Sequence, residues 1–249
     1  MKELLHAFAM TQSMFCAIPC PWRLWDEKAR GKMLLFLPLV GLEIGALWYG
    51  LWYLAGFLAL PNLLRGLLLA AFPFVVTGFI HLDGFMDVTD AVKSCRDLER
   101  RREILKDPHV GSFAVIGCCL LLLIQFALAA SLDDSPGLGV LILVPVVSRC
   151  CSALAVTALR PMSTSQYAAQ EKPKSHLWIL GLLLTGTLAA GFLLWGCHGW
   201  ALIGCLGGDG LALYRGRSSL GGMNGDIAGY ALTLGELCAL AVCVLVPRF

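Results

Sequence analysis

Apolar residues run along this chain in blocks of about twenty, set apart by short clusters of charged and turn-forming residues. A block of that length crosses a bilayer as a helix, because backbone groups in hydrocarbon must satisfy one another within the segment. On this template seven spans are predicted: 34–58, 63–80, 112–132, 138–159, 177–195, 199–213 and 227–246. The sixth is short, glycine-rich and carries Asp209, so a re-entrant or broken element is an alternative there and six to eight spans is the range. The first apolar stretch, 4–17, is interrupted by His6, Thr11, Gln12 and Ser13. It reads as an amphipathic helix lying in the interface rather than a cleavable signal, with Trp22 and Trp25 following at headgroup depth. The predicted fold class is therefore all-α, a polytopic membrane helical bundle, with residues 1–249 forming a single membrane-embedded domain.

Composition agrees with this pattern. Of 249 residues 58% are hydrophobic and 14% charged, against about 25% charged in a soluble domain. A water-soluble monomer is excluded. Nineteen basic and seventeen acidic side chains leave a net charge of +2, too balanced for nucleic-acid binding. Most of the eleven cysteines lie inside apolar stretches, as at Cys118, Cys119, Cys150, Cys151, Cys238 and Cys243, and read as small packing residues. The lysines and arginines fall unevenly. Sixteen lie in 1–33, 81–110, 160–176 and 214–226, whereas the opposite loops hold only Arg65 and Arg248. This bias predicts a cytoplasmic N-terminus and an external C-terminus, and puts the loops 81–110 and 214–226 on one face.

Those two loops carry the chemistry. In His81-Leu82-Asp83-Gly84-Phe85-Met86-Asp87-Val88-Thr89-Asp90, the three aspartates are spaced i, i+4, i+7, within roughly 60° on one helix face. Crowded carboxylates repel unless a cation neutralises them, and hard oxygen ligands without a His/Cys set favour Mg2+. A solvated acidic helix end is the competing explanation; the emergence of the cluster from an apolar span in a charge-poor chain weighs against it. Gly84 permits close approach of a phosphate or another backbone. His81 is open to capping, hydrogen bonding or proton transfer. Downstream, the basic run holding Arg96, Arg100, Arg101, Arg102 and Lys106 suits a polyphosphate ester, or for Arg100–Arg102 an anchor to lipid headgroups. Intrahelical salt bridging is a poor account of it. Lys106 and Asp107 are the stronger candidates, returned to the membrane surface near Asp83 by Pro108-His109-Val110-Gly111. In Gly221-Gly222-Met223-Asn224-Gly225-Asp226, backbone N–H groups can face an anion and Asp226 is predicted at the helix N-cap. Glu43, Arg149 and Glu236 are charges within spans, with Arg149 predicted to pair with Glu236 or Glu43.

At these residues the chain resembles the cobalamin synthase family, membrane adenosylcobinamide-GDP ribazoletransferases. The likeness is carried by His81-Leu82-Asp83-Gly84 with Asp87 and Asp90, by Leu105-Lys106-Asp107 with Gly111, by the 221–226 loop followed by Gly235-Glu236, and by Phe15, Pro19 and Pro38-Leu39-Val40-Gly41. It runs nearly end to end. Ala91 and Asn224 depart from the family pattern, which usually has glycine and threonine there, and 160–176 is idiosyncratic. The resemblance implies Mg2+-dependent transfer of the adenosylcobinamide phosphate unit from adenosylcobinamide-GDP to α-ribazole or its 5′-phosphate, releasing GMP. It implies Asp83, Asp87 and Asp90 at the metal, with one or two ions left open. Lys106, Asp107 and Asp226 become the expected catalytic groups, and His81, Gly84, Arg96, Arg100, Gly221, Gly222 and Asn224 the expected substrate contacts. The enzyme would sit in a bacterial or archaeal cytoplasmic membrane among lipids, a homo-oligomer being left open. A secondary transporter is the alternative, kept alive by the short sixth span.

Overall fold

The computed structural model describes residues 2–20, 22, 25–162, 165 and 173–246; Arg248 and most of 163–172 lie outside them. Among the described residues the chain is helical, apart from an isolated bridge between Pro161 and Met223. An N-terminal helix α1 (Lys2–Phe15) and a single turn α2 (Glu27–Arg30) precede the first long apolar helix, α3 (Met33–Phe57). α1 is amphipathic as expected. Ala7, Met10 and Thr11 are buried against the start of α3, where Thr11 donates to the Met33 carbonyl, while Leu4 and Leu5 stay exposed.

Next come α4 (Asn62–Val76), within the predicted span 63–80, and α5 (Ile80–Lys93), which starts where that span was expected to end. They meet at 89°. Gly78 and Phe79 both take positive φ at the break, and Thr77 turns its hydroxyl back to the Pro73 carbonyl, so the helix cannot continue. The bend swings His81–Asp90 across the bundle instead of letting the chain run straight out of it. A short helix α6 (Leu98–Ile104) leads to α7 (Ser112–Ala130), then a 3-10 stretch Pro136–Ile142 and α8 (Val144–Ala158). Helices α9 (Lys174–Trp195), α10 (Trp200–Leu220) and α11 (Gly225–Leu245) complete the chain.

Five helical stretches are long and apolar enough to cross a membrane, or six with the bent pair α4–α5 taken as one. One of the five, Lys174–Leu220, reverses direction. The rings of Phe192 and Trp200 lie 5.5 Å apart, whereas eight residues of straight helix span about 12 Å, and α9 and α10 both pack on α8. Counted as two crossings, it brings the tally to seven. The sixth span differs from the expectation of a short or broken element. α10 is continuous over 21 residues, because Gly204 and Gly208 let it lie directly on Cys238 and Val242 of α11, and packing rather than hydropathy holds it. Asp209, fully buried, faces Gly235 of α11 beside the Cys205 thiol.

The core is mainly apolar, and within it Arg149 Nη1 donates to Glu236 Oε1 at 2.8 Å, and Ser148 donates to the same oxygen at 2.9 Å. The partner of Arg149 is thus Glu236. All the cysteines are unbridged, and Cys150, Cys151, Cys205 and Cys243 are buried among apolar neighbours.

Candidate active site

The site forms where α5 crosses the first turns of α7 and α11. Gly84 sits against the backbone of Asp226: a Cβ there would lie 2.9 Å from the Asp226 carbonyl oxygen and 3.0 Å from its Cα. Glycine is required for the two helices to approach this closely. Phe85 stacks on Tyr230 at 5.6 Å, and the Thr233 hydroxyl donates to the His81 carbonyl, so α5 is fixed along about two turns of α11. Asp83 is exposed; Asp87, Asp90 and Asp226 are partly buried. The charges of Asp83, Asp226 and Asp90 all bear on Asp87, in that order. Asp226 thus joins the face that the i, i+4, i+7 spacing defines.

Asp90 has a further partner. Its carboxylate lies against Gly111 and accepts from the Ala114 N–H at 3.4 Å, at the N-terminus of α7, where free backbone donors favour an anion. Gly111 leaves the space it occupies. Among the described residues no three His, Cys, Asp or Glu side chains are already drawn together as a metal site. Asp83, Asp87 and Asp226 nevertheless supply a hard-oxygen donor set of mutually repelling charges, a chemistry that fits Mg2+.

Other predicted residues take different positions. Asn224, not Asp226, is the N-cap of α11: its Oδ1 accepts from the Ile227 N–H at 3.0 Å, and its amide donates to Asp226 Oδ2 at 2.6 Å. Asn224, two residues earlier and just outside the helix, is in register to reach the free N–H, leaving Asp226 to project from the first turn of the helix itself. Gly222 is buried, whereas Gly221 stays exposed beside the Arg102 guanidinium. Met162 covers Gly222, the Gly221 N–H donates to the Arg217 carbonyl, and the Met223 N–H to that of Arg160. Arg101 and Arg102 donate to the carbonyls of Ser219 and Leu220 at 3.3 and 2.9 Å, closing the C-terminal end of α10. This puts 81–110 and 214–226 at one end of the bundle. It also corrects the view of the basic run: two arginines tie helices together, and Arg100 makes an i,i+3 ion pair with Glu103 at 2.6 Å.

Arg96 and Lys106 are exposed. Asp107 is exposed too, and its side chain is bonded to His109, through the backbone N–H at 2.9 Å and the ring Nδ1 at 2.7 Å. These bonds hold its carboxyl below the usual carboxylate range. His81 is buried, its ring stacked on Phe15 at 6.2 Å. Two features escaped sequence reasoning: the brace of Arg160–Met162 on the 221–223 loop, and the approach of Arg149 to His81 from α8. Pro161 was a weak signal for the first; nothing in the sequence signalled the second.

A multi-pass helical bundle with an aspartate cluster at one end, beside exposed basic residues, defines a membrane-embedded transferase class. Comparison with known proteins places the chain within it: the model of the cobalamin-5-phosphate synthase family matches residues 7–244, and the chain belongs to that family. It is a transferase of cobalamin biosynthesis. Among its relatives, an adenosylcobinamide-GDP ribazoletransferase of Clostridium perfringens strain 13 is 36% identical over 245 residues, covering 96% of this chain and 98% of that protein. Proteins of the same name from Clostridium botulinum strain Alaska E43 and Lachnoclostridium phytofermentans are 34% and 32% identical, each over 96% of this chain and over 97% and 94% of their own lengths. No solved structure matches. Family membership and the continuity of α10 set the transporter alternative aside.

Proposed function

We propose that this protein joins the two halves of the cobalamin skeleton, transferring the adenosylcobinamide phosphate unit from adenosylcobinamide-GDP to α-ribazole or its 5′-phosphate with release of GMP. The observation that carries the reading is the convergence of Asp83 and Asp87 on α5 with Asp226 on α11, at the end of the bundle rich in lysine and arginine. The basic bias argues that this end faces the cytoplasm, where both substrates are water-borne. The membrane is then the cytoplasmic membrane of a bacterium or archaeon.

Asp83 and Asp87 would hold Mg2+ beside Asp226, and Asp90 locks the cluster to α7. The ion, when bound, supplies charge neutralisation at the pyrophosphate. Lys106 and Arg96, exposed beside the cluster in sequence, orient the anionic donor and stabilise charge developing on the leaving GMP oxygen. The acceptor hydroxyl needs a carboxylate within hydrogen-bond reach as general base; Asp226 or Asp107 serves. Asp226 is steadied by the Asn224 amide, and Asp107 by His109. Among the described residues no Ser or Cys of these motifs is bonded to a base that would activate it, which favours a single direct displacement over a route through a serine or cysteine ester.

The test is purified protein in detergent given adenosylcobinamide-GDP, with and without α-ribazole 5′-phosphate and Mg2+. GMP release that requires all three is expected. Release without acceptor, or no release under any condition, overturns the reading.

A further inference from the structure

Helix α4 runs from Asn62 to the bend that leads into the aspartates, so Arg65, in its first turn, lies at the opposite end of the bundle. There a cleft of about 250 Å³ opens between Trp52, Tyr53, Gly56 and Phe57 of α3, Arg65, and Asp134 of the connection after α7. The Arg65 side chain is more than nine-tenths buried, its guanidinium 4.9 Å over the Trp52 ring. Nη1 donates to Asp134 Oδ1 at 2.5 Å, while Nε is buried with no hydrogen-bond partner. Nη2 is the atom nearest Gly56: a Cβ there would stand 3.6 Å from it, so glycine leaves this side of the guanidinium open to the cleft. The Nε–Nη2 edge is one that takes an oxyanion through two parallel bonds.

The bond to Asp134 alone is a poor reason to bury this arginine. That carboxylate is 82% exposed, and pairs with so exposed a partner add little. A buried N–H without an acceptor is unfavourable and calls for a second oxygen partner. The surroundings indicate its source. α3 has 25 residues and so spans about 37 Å against about 30 Å of hydrocarbon, which carries its last turn to headgroup depth. Tyr53, Leu54, Phe57 and Leu58 are exposed there, an aromatic and apolar surface of the kind that meets lipid at the interface.

We propose that this cleft binds the headgroup of a phospholipid carrying a primary ammonium, phosphatidylethanolamine, with its phosphate on the Nε–Nη2 edge of Arg65 and its ammonium on Asp134. The acyl chains run along the exposed face of Leu54 and Phe57. The cleft has the volume of about eight waters at about 30 Å³ each, room for a phosphate and a short amine but not for the chains. The lining separates this lipid from others. A headgroup of net negative charge brings its phosphate beside Asp134 with no cation to offset that carboxylate, and a choline headgroup has no N–H to donate to it. Free phosphate lacks the chains that the exposed end of α3 accommodates. Nothing in this assignment depends on the transferase reading.

The deciding experiment incubates the full-length protein in detergent with equal amounts of phosphatidylethanolamine, phosphatidylcholine and phosphatidylglycerol bearing the same acyl chains. Native mass spectrometry then counts the lipid each molecule retains. Wild type is expected to keep at least fivefold more phosphatidylethanolamine than either other lipid. Asp134→Asn should remove that preference, and Arg65→Gln should lower retention of all three. Gly56→Leu fills the cleft while keeping both charged residues, and should lower phosphatidylethanolamine retention at least fivefold. Asp134 and Gly56 are exposed, so these two variants are expected to fold, and thermal unfolding checks each of the three. Equal retention of the three lipids by wild type or a preference for phosphatidylglycerol overturns the assignment. So does unchanged phosphatidylethanolamine retention in folded Asp134→Asn or Gly56→Leu, or displacement of the lipid by millimolar inorganic phosphate.

Discussion

Each aspartate of the cluster is held by something specific to its position. Asp90 is fixed by the start of α7, Asp226 by the Asn224 amide, and Asp87 lies between three like charges. Asp107 stands outside this group, bonded to its neighbour His109, and that isolation makes its role testable. The His109 backbone N–H and ring both hold the Asp107 carboxyl down, so it stays ionised to lower pH than an ordinary aspartate. Substituting His109→Ala removes the ring bond and keeps the backbone one. If Asp107 is the general base, the acid limb of the kcat/KM profile moves to higher pH; an unmoved limb assigns the base to Asp226. The chemistry at phosphorus is a second test at this scale. Direct transfer predicts inversion of configuration with a chirally labelled donor, and net retention would mean a covalent enzyme ester on a residue outside the motifs.

At the scale of elements, the site depends on two helix crossings that only glycine permits. Gly84→Val would drive its side chain into the Asp226 backbone, and overpacking of this kind costs about 1–3 kcal/mol. A lowered unfolding temperature together with lost activity is expected, since the crossing that is disrupted is also the one that brings Asp226 to Asp83 and Asp87. Gly111→Ala would displace the Asp90 carboxylate from α7 and should reduce activity with a smaller loss of stability. Retention of full activity by Gly84→Val would show that the α5–α11 contact does not set the geometry. The aspartate spacing was legible in the sequence because helical period and carboxylate chemistry are local properties. The bend at Thr77–Phe79 was not, because a positive φ at Phe79 is imposed by packing and has no residue signature. The N-cap likewise moved from Asp226 to Asn224: both side chains can cap, and only the register of the loop decides. The arginine run was misread for a related reason, since the α10 carbonyls that bind Arg101 and Arg102 lie more than a hundred residues away in sequence.

Across the whole molecule, hydropathy alone foretold a multi-helix bundle, and the apolar helices α3, α7, α8 and α11 lie close to their expected places. Charge bias foretold that the 81–110 and 214–226 loops share an end, and the bonds from Arg101 and Arg102 to α10 join them. The continuity of α10 was not legible, because its glycines look like breaks until α11 is laid against them. Orientation follows from the same bias and is open to test. In cells, a thiol introduced at Ser135 should react with an impermeant reagent from outside and one at Ser219 should not. Reaction at position 219 alone would invert the topology and move the site to the outer face. The central claim, that Asp83 and Asp87 hold the magnesium on which transfer depends, is tested most directly by titrating Mg2+ against GMP release for wild type, Asp83→Asn and Asp87→Asn. Both variants should unfold near the wild-type temperature yet turn over at least a hundredfold more slowly, with half-saturation moved to higher Mg2+. Near-normal turnover with an unchanged Mg2+ dependence in Asp87→Asn would reduce the cluster to a solvated helix end and contradict the account.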